Sequence, residues 1–260
     1  MTVSLAHTVS GDPDGPFVVL ANSLGSTRAM WDGVRPALEP QFRVVGFDAR
    51  GHGESPVPPG PYVIDDFVAD LGALLDTIGA PRAHLVGLSL GGMTALAFAA
   101  RHPERVDRLV ALCTSAYLPP ASGWRERGAT VLAQGTGAVA QPVVVRWFTD
   151  AYRAAHPDGV AAAEAMVASI PPVGYAASCE AIAALDLRAE LSRITAPTLA
   201  LAGAEDPATP PEHLAAIAEG VADGRLVVLD RASHLAPLER PDAVAAAILE
   251  HLLDSERTER

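Results

Sequence analysis

Short apolar, β-branched runs alternate along this chain with longer segments whose apolar residues recur at helical spacing. The runs are Phe17–Ala21, Phe42–Phe47, His84–Gly87, Leu109–Cys113, Thr198–Ala202 and Leu226–Leu229, and Val3–Val9 adds an edge strand. Their length and composition predict strands. Between them, Val63–Ile78 sets Phe67, Leu71, Leu74, Leu75 and Ile78 on one helix face, with Asp66, Asp70 and Asp76 facing water. Pro241–Leu253 opens on a proline at a helix start and carries Val244, Ile248 and Leu252 on one stripe. Alternation of this kind predicts an α/β fold, a mostly parallel sheet flanked by helices on both faces.

The alternation breaks between Leu118 and Leu187. That segment predicts helices without strands, over Trp124–Ala133, Gly137–Phe148, Val160–Ser169 and Gly174–Leu185. Pro119-Pro120 opens it and Pro171-Pro172 interrupts it. A wholly helical insertion between two strands predicts a lid over a site. The expected organisation is therefore a core domain of residues 1–117 and 188–260 with a helical cap of residues 118–187.

Composition narrows the classes. With 260 residues and 49% hydrophobic content, one large core with a modest insertion is affordable. A formal net charge of −12 argues against nucleic acid as a partner, because phosphate contacts need a basic surface. Any anion specificity must come from local arginines. No apolar run reaches the roughly 18 residues of a membrane span. The N-terminus lacks a basic region followed by an apolar one, so a cytoplasmic, membrane-free protein is expected. Cys113 and Cys179 cannot frame a disulfide scaffold or a zinc cluster, and no His or carboxylate cluster has ligand spacing. Neither metal nor cofactor is expected.

The chemistry concentrates at His84-Leu85-Val86-Gly87-Leu88-Ser89-Leu90-Gly91-Gly92, followed by the helix pattern of Met93–His102. A strand, a Gly-x-Ser-x-Gly turn and a helix form the context in which a serine is held exposed on a strained elbow. A serine hydroxyl needs a base to take its proton and an acid to orient that base. Asp206 follows the run at 198–202, and His234 follows the run at 226–229. The order Ser89, Asp206, His234 places all three just past carboxyl ends of strands, where parallel sheets bind ligands. Glu205, beside Asp206, is expected to point away along the turn. Cys113-Thr114-Ser115-Ala116, another place for the acid, contains no carboxylate. His52, in Asp48–Ser55, reads as an organiser of its loop, and the other histidines have no convergent partners. An oxyanion needs two backbone N–H donors aimed at it beforehand. Leu90, after the nucleophile, supplies one; Leu24, in Ala21–Ser26, is chosen for the other.

With these residues, the chain resembles the α/β-hydrolase superfamily over its full length, and within it the 3-oxoadipate enol-lactonases. Asn22-Ser23-Leu24-Gly25 is similar to their oxyanion loop, and Phe42–Gly53 to their second common stretch. In the lid, Trp124 and Arg127 match a Trp-x-x-Arg pattern, Arg146-Trp147-Phe148-Thr149 an Arg-Trp-Phe-Thr element, and Gly174-Tyr175 with Cys179 a Gly-Tyr-x-x-x-Cys element. Two positions depart: Leu235 is followed by Ala236-Pro237 instead of Ser-Asn, and Cys113-Thr114-Ser115 lacks an Asn. The resemblance implies an α/β-hydrolase fold with the lid inserted after the sixth strand. It also implies hydrolysis of 3-oxoadipate enol-lactone to 3-oxoadipate, in the degradation of protocatechuate and other aromatic compounds. The substrate carboxylate should then pair with Arg127 first and Arg146 second, in a pocket walled by Trp124 and Trp147, with Asn22 nearby. A carbon–carbon hydrolase of a vinylogous diketone, a general esterase or haloperoxidase-type enzyme, and a non-catalytic receptor remain alternatives on the same fold.

Overall fold

The computed structural model describes residues 1–254. β1 (His7–Gly11) pairs antiparallel with β3 (Arg43–Phe47), and β2 (Phe17–Ala21) lies parallel to β3. β4 (Ala83–Leu88), β5 (Val106–Leu112), β6 (Thr198–Gly203) and β7 (Gly224–Leu229) extend the sheet in parallel. The spatial order is β1-β3-β2-β4-β5-β6-β7. Every residue of β4 is buried, as in a central strand covered on both faces, whereas β7 alternates. α1 (Arg35–Leu38), α2 (Ile64–Thr77) and α3 (Leu90–Arg101) connect the first five strands. Between β5 and β6 stand α4 (Ala121–Gln134), α5 (Gly137–Val144), α6 (Asp150–Ala155), α7 (Pro157–Ser169) and α8 (Pro172–Ala184). α9 (Pro211–Gly220), α10 (Ala236–Glu239) and α11 (Pro241–Leu253) complete the core. Among the described residues no single helix is long and apolar enough to cross a membrane.

In the insertion, α4 packs on α8 and α5 on α7. Its two ends meet in a narrow neck, where Tyr117 bridges Asp186 and the Leu187 N–H donates to Ala116 O at 2.8 Å.

Four expectations change. The insertion follows the fifth strand of this chain, not the sixth. Only one antiparallel strand precedes β2, because the residues ahead of it are committed elsewhere: Val3 N–H donates to Asp70 Oδ1 at 2.8 Å and Ala6 N–H to Ser55 Oγ at 2.9 Å. For the same reason the Val3–Val9 strand is displaced to His7–Gly11. Asp70 does not face water. It is buried because Arg50, itself buried, grips it with Nε and Nη2 at 2.7 and 2.9 Å beneath the rings of Tyr62 and Phe67. Finally, the helix expected through Phe148 ends at Val144. Tight turns follow, with Arg146 N–H on Val143 O and Trp147 N–H on Val144 O. Thr149 then caps a new helix, α6, by accepting from Tyr152 N–H.

The order reverses between β2 and β4, so the loops leaving these two neighbours diverge and open a crevice. Their approach depends on glycine. A Cβ on Gly91 would sit 2.4 Å from Ala21 O and 2.8 Å from Asn22 O, and one on Gly87 would sit 2.3 Å from Gly91 O. Backbone atoms cannot yield as side chains do. Gly91→Ala is therefore expected to lower unfolding stability by about 1–3 kcal/mol or more, read as a fall of several degrees in Tm. An unchanged Tm would show that the contact is slack.

Candidate active site

Ser89 sits between β4 and α3 with φ 54° and ψ −115°, a conformation that an L-residue keeps only when its surroundings hold it. Three hydrogen bonds hold it here. Ser89 N–H donates to Leu112 O at 3.1 Å, and Ser89 O accepts from Thr114 Oγ1 at 2.7 Å and from Met93 N–H at 2.8 Å. The end of β5 thus braces the elbow from one side and α3 from the other. Because Leu90 begins α3, its N–H has no acceptor inside the helix.

His234 lies in the loop after β7, and its Nδ1 is 2.8 Å from Asp206 Oδ2. Asp206 is buried in the turn after β6, where it also accepts from Thr209 Oγ1 at 2.7 Å, Thr209 N–H at 3.1 Å and Ala208 N–H at 2.8 Å. Burial alone would raise its carboxyl. The charge of His234 and the hydrogen bonds from His234 and Thr209 outweigh burial and hold the group well below the usual carboxylate range. An ionised Asp206 only accepts, so Nδ1 of His234 carries a proton in either state, and in the neutral imidazole Nε2 is the nitrogen with the free lone pair. Glu205, next door, is exposed.

Ser89 and His234 open onto one cavity of about 300 Å³. Ser23 and Leu24 reach it from the loop after β2, and Trp124, Arg127, Arg146, Trp147 and Tyr175 from the insertion. The β2 loop is held by His52 and Asn22. His52 is buried, donates Nδ1–H to Arg50 O at 3.1 Å and accepts Gly25 N–H on Nε2 at 3.1 Å. Burial lowers its pKa, which keeps Nε2 free to accept. Asn22 does not line the cavity, in contrast to the expectation. Its side chain is turned inward and consumed by its own loop, Nδ2 donating to Ser26 O at 2.6 Å and Oδ1 accepting from Ala49 N–H at 3.3 Å.

Arg127 lies over the Trp124 ring, 4.5 Å from its centroid, and the Trp124 Nε1–H is fixed on Leu118 O at 3.1 Å. Burial and the nearby Arg127 charge push Arg146 below the usual guanidinium range. Neither arginine pairs with a carboxylate among the described residues. Two half-buried cations thus share one cavity with no counter-ion from the described residues.

One buried group was not foreseen. Glu239 takes Thr149 N–H and Thr149 Oγ1 on Oε1, at 3.0 and 2.5 Å, and Ser233 N–H on Oε2 at 2.7 Å. Leu235 N–H adds a bond to Trp147 O at 2.9 Å, and Ser233 Oγ lies 3.1 Å from Arg146 O. The residues flanking His234 are thereby tied to the segment that carries Arg146 and Trp147. The only signal in the sequence is an acidic residue five positions past His234, after the apolar run Leu235–Leu238.

A family model of the alpha/beta hydrolase fold matches residues 16–142, and one described as TAP-like protein matches residues 174–260. The 3-oxoadipate enol-lactonase 2 of Acinetobacter baylyi is 36% identical, over 95% of this chain and 92% of that protein. A putative carbamate hydrolase RutD of Stutzerimonas stutzeri is 30% identical, over 94% of each. The crystal structure of the enol-lactonase from Burkholderia xenovorans LB400 superposes with a TM-score of 0.94 at 37% identity, covering 97% of both chains.

Glu239→Ala removes three acceptor contacts and strands the amides of Thr149 and Ser233 in the interior. It is expected to cost roughly 2–4 kcal/mol in unfolding free energy measured by denaturant titration. A loss below the error of that titration would mean that the clamp is dispensable.

Proposed function

The chain belongs to the alpha/beta-hydrolase fold family, and on that premise we propose that it hydrolyses 3-oxoadipate enol-lactone to 3-oxoadipate through Ser89, His234 and Asp206. The observation that carries this reading is the pair of arginines without counter-ions, Arg127 and Arg146, in the cavity onto which Ser89 and His234 open. An uncharged ester would leave both half-buried cations unpaired. A small lactone with a carboxylate arm neutralises them while its ring reaches the serine. Similarity to enol-lactonases over nearly the whole length, the cap included, supports the same choice.

The reaction follows from the groups in place. The Nε2 lone pair of His234 takes the Ser89 proton as Oγ attacks the lactone carbonyl. Asp206 keeps the imidazole in the required tautomer and offsets the imidazolium charge. The N–H groups of Leu24 and Leu90 receive the oxyanion. Collapse breaks the ring C–O bond and releases an enolate, which takes the proton held on His234 Nε2 and ketonises while the acyl group stays on Ser89. This leaving group is far less basic than an alkoxide, so ring opening needs little acid assistance. Water then attacks the acyl-enzyme, with His234 as base, and 3-oxoadipate leaves with the serine restored.

A second reading is hydrolysis of a carbamate, favoured by the similarity to relatives named as putative carbamate hydrolases. The serine chemistry is common to both, so substrate decides.

Two measurements test the reading. Ser89→Ala is expected to reduce turnover of freshly generated enol-lactone by about a thousandfold or more, followed by its ultraviolet absorbance, in a protein that still unfolds cooperatively. Retention of most of the activity would remove Ser89 from the role. Arg127→Ala is expected to lower kcat/KM for the enol-lactone by roughly 10–100-fold and that for p-nitrophenyl acetate by less than about threefold. Equal losses on the two substrates would mean that Arg127 does not read the carboxylate.

A further inference from the structure

Tyr175, on α8, is fully buried yet forms part of the wall of the cavity. Its O–H proton has no acceptor, because the nearby Arg127 guanidinium can only donate to the phenol oxygen. Among the described residues this hydroxyl is the one buried, unpartnered side-chain polar group that belongs to that wall. Burying a hydroxyl without a partner destabilises a fold, so such a group calls for an explanation.

The ring packs against the loop after β2, where a Cβ on Gly25 would come within 3.1 Å of Tyr175 Cε2. Turning it about its own axis would not move the hydroxyl, which lies on that axis. The charged groups that bear on the hydroxyl are Arg127 and Arg146, with the Cys179 thiol also close. A guanidinium donates and does not accept, so neither arginine satisfies the O–H. Burial pushes the Tyr175 hydroxyl up to about 12, against the pull of both arginines, so it remains a donor throughout the working range. Three donors therefore converge on one volume of the cavity, two of them cationic, and the described residues supply no acceptor for the third.

We infer that the Tyr175 hydroxyl is a specificity-determining donor, which binds the substrate carboxylate together with Arg127 and Arg146. A carboxylate presents about four lone-pair sites on two oxygens, enough for all three donors. The arginines supply charge. The hydroxyl, at the end of a fully buried ring, supplies direction. This inference rests on the proposed reading that the cavity takes a carboxylate-bearing lactone.

Tyr175→Phe tests it, because the ring and its packing remain. The KM for the enol-lactone is expected to rise about tenfold with kcat changed by less than about threefold. Inhibition by adipate, a dicarboxylate with no ring to open, should weaken by a similar factor. Turnover of p-nitrophenyl acetate should hold, and Tm should stay level or rise, since an unsatisfied hydroxyl has been removed. A fall in Tm with equal losses on ester and lactone would make Tyr175 a packing residue and overturn the inference. If Arg127→Ala weakens adipate but Tyr175→Phe does not, the carboxylate reading stands and the role of Tyr175 fails. If neither variant weakens adipate, the carboxylate reading itself fails.

Discussion

Everything at this site depends on how closely two backbones approach where the strand order reverses. The carbonyls of Ala21 and Asn22 press on Gly91, and Gly91 presses on Gly87. That contact brings the loop after β2 alongside the first turn of α3. It also leaves Ser89 at positive φ, with its carbonyl turned down onto Thr114 and Met93. The strain is local, and its support comes from the end of β5 on one side and α3 on the other. A scaffold that held the elbow less firmly would let the serine relax into an ordinary helix start.

Charge is arranged around that elbow in two layers. Beneath it, Asp206 is satisfied by Thr209, Ala208 and His234, and its negative charge serves the imidazole alone. Above it, Arg127 and Arg146 bring positive charge into a half-closed space and repel each other. The chain carries a formal charge of −12, so this local reversal of sign owes nothing to the protein's overall field. It is built by a few residues on α4 and on the turn after α5.

The parts of this plan that were legible in the sequence are those that local patterns encode. A strand, a turn and a helix around Ser89 leave their mark within a dozen or so positions, and the runs ahead of Asp206 and His234 do the same. The cap helices showed in their spacing and in the paired prolines that bound them. What escaped was set by contacts between distant segments. Asp70 reads as a solvent-facing residue on its helix until Arg50 is known to lie against it. Asn22 looks like a pocket residue by position, but Ser26 and Ala49 claim its side chain. The five runs ahead of the insertion match the five strands in number, and the sixth strand came from the resemblance alone; the first run was misplaced because Val3 and Ala6 bond to Asp70 and Ser55 rather than to the sheet. Glu239 escaped for the same reason, since nothing near it in the chain names Thr149 as its partner.

That carboxylate divides the cavity into a fixed and a variable side. Arg146 and Trp147 hang from a segment stitched to the loop of His234, so a backbone shift that alters how they meet a ligand also moves the base. Trp124, Arg127 and Tyr175 stand on α4 and α8, and none of the three takes part in those hydrogen bonds. Change in substrate preference, by mutation or over evolutionary time, meets less resistance on the α4 and α8 side, where recognition can drift while the proton-transfer machinery stays in place. New selectivity in this chain should therefore be sought among residues of those two helices before any on the segment at 146–149.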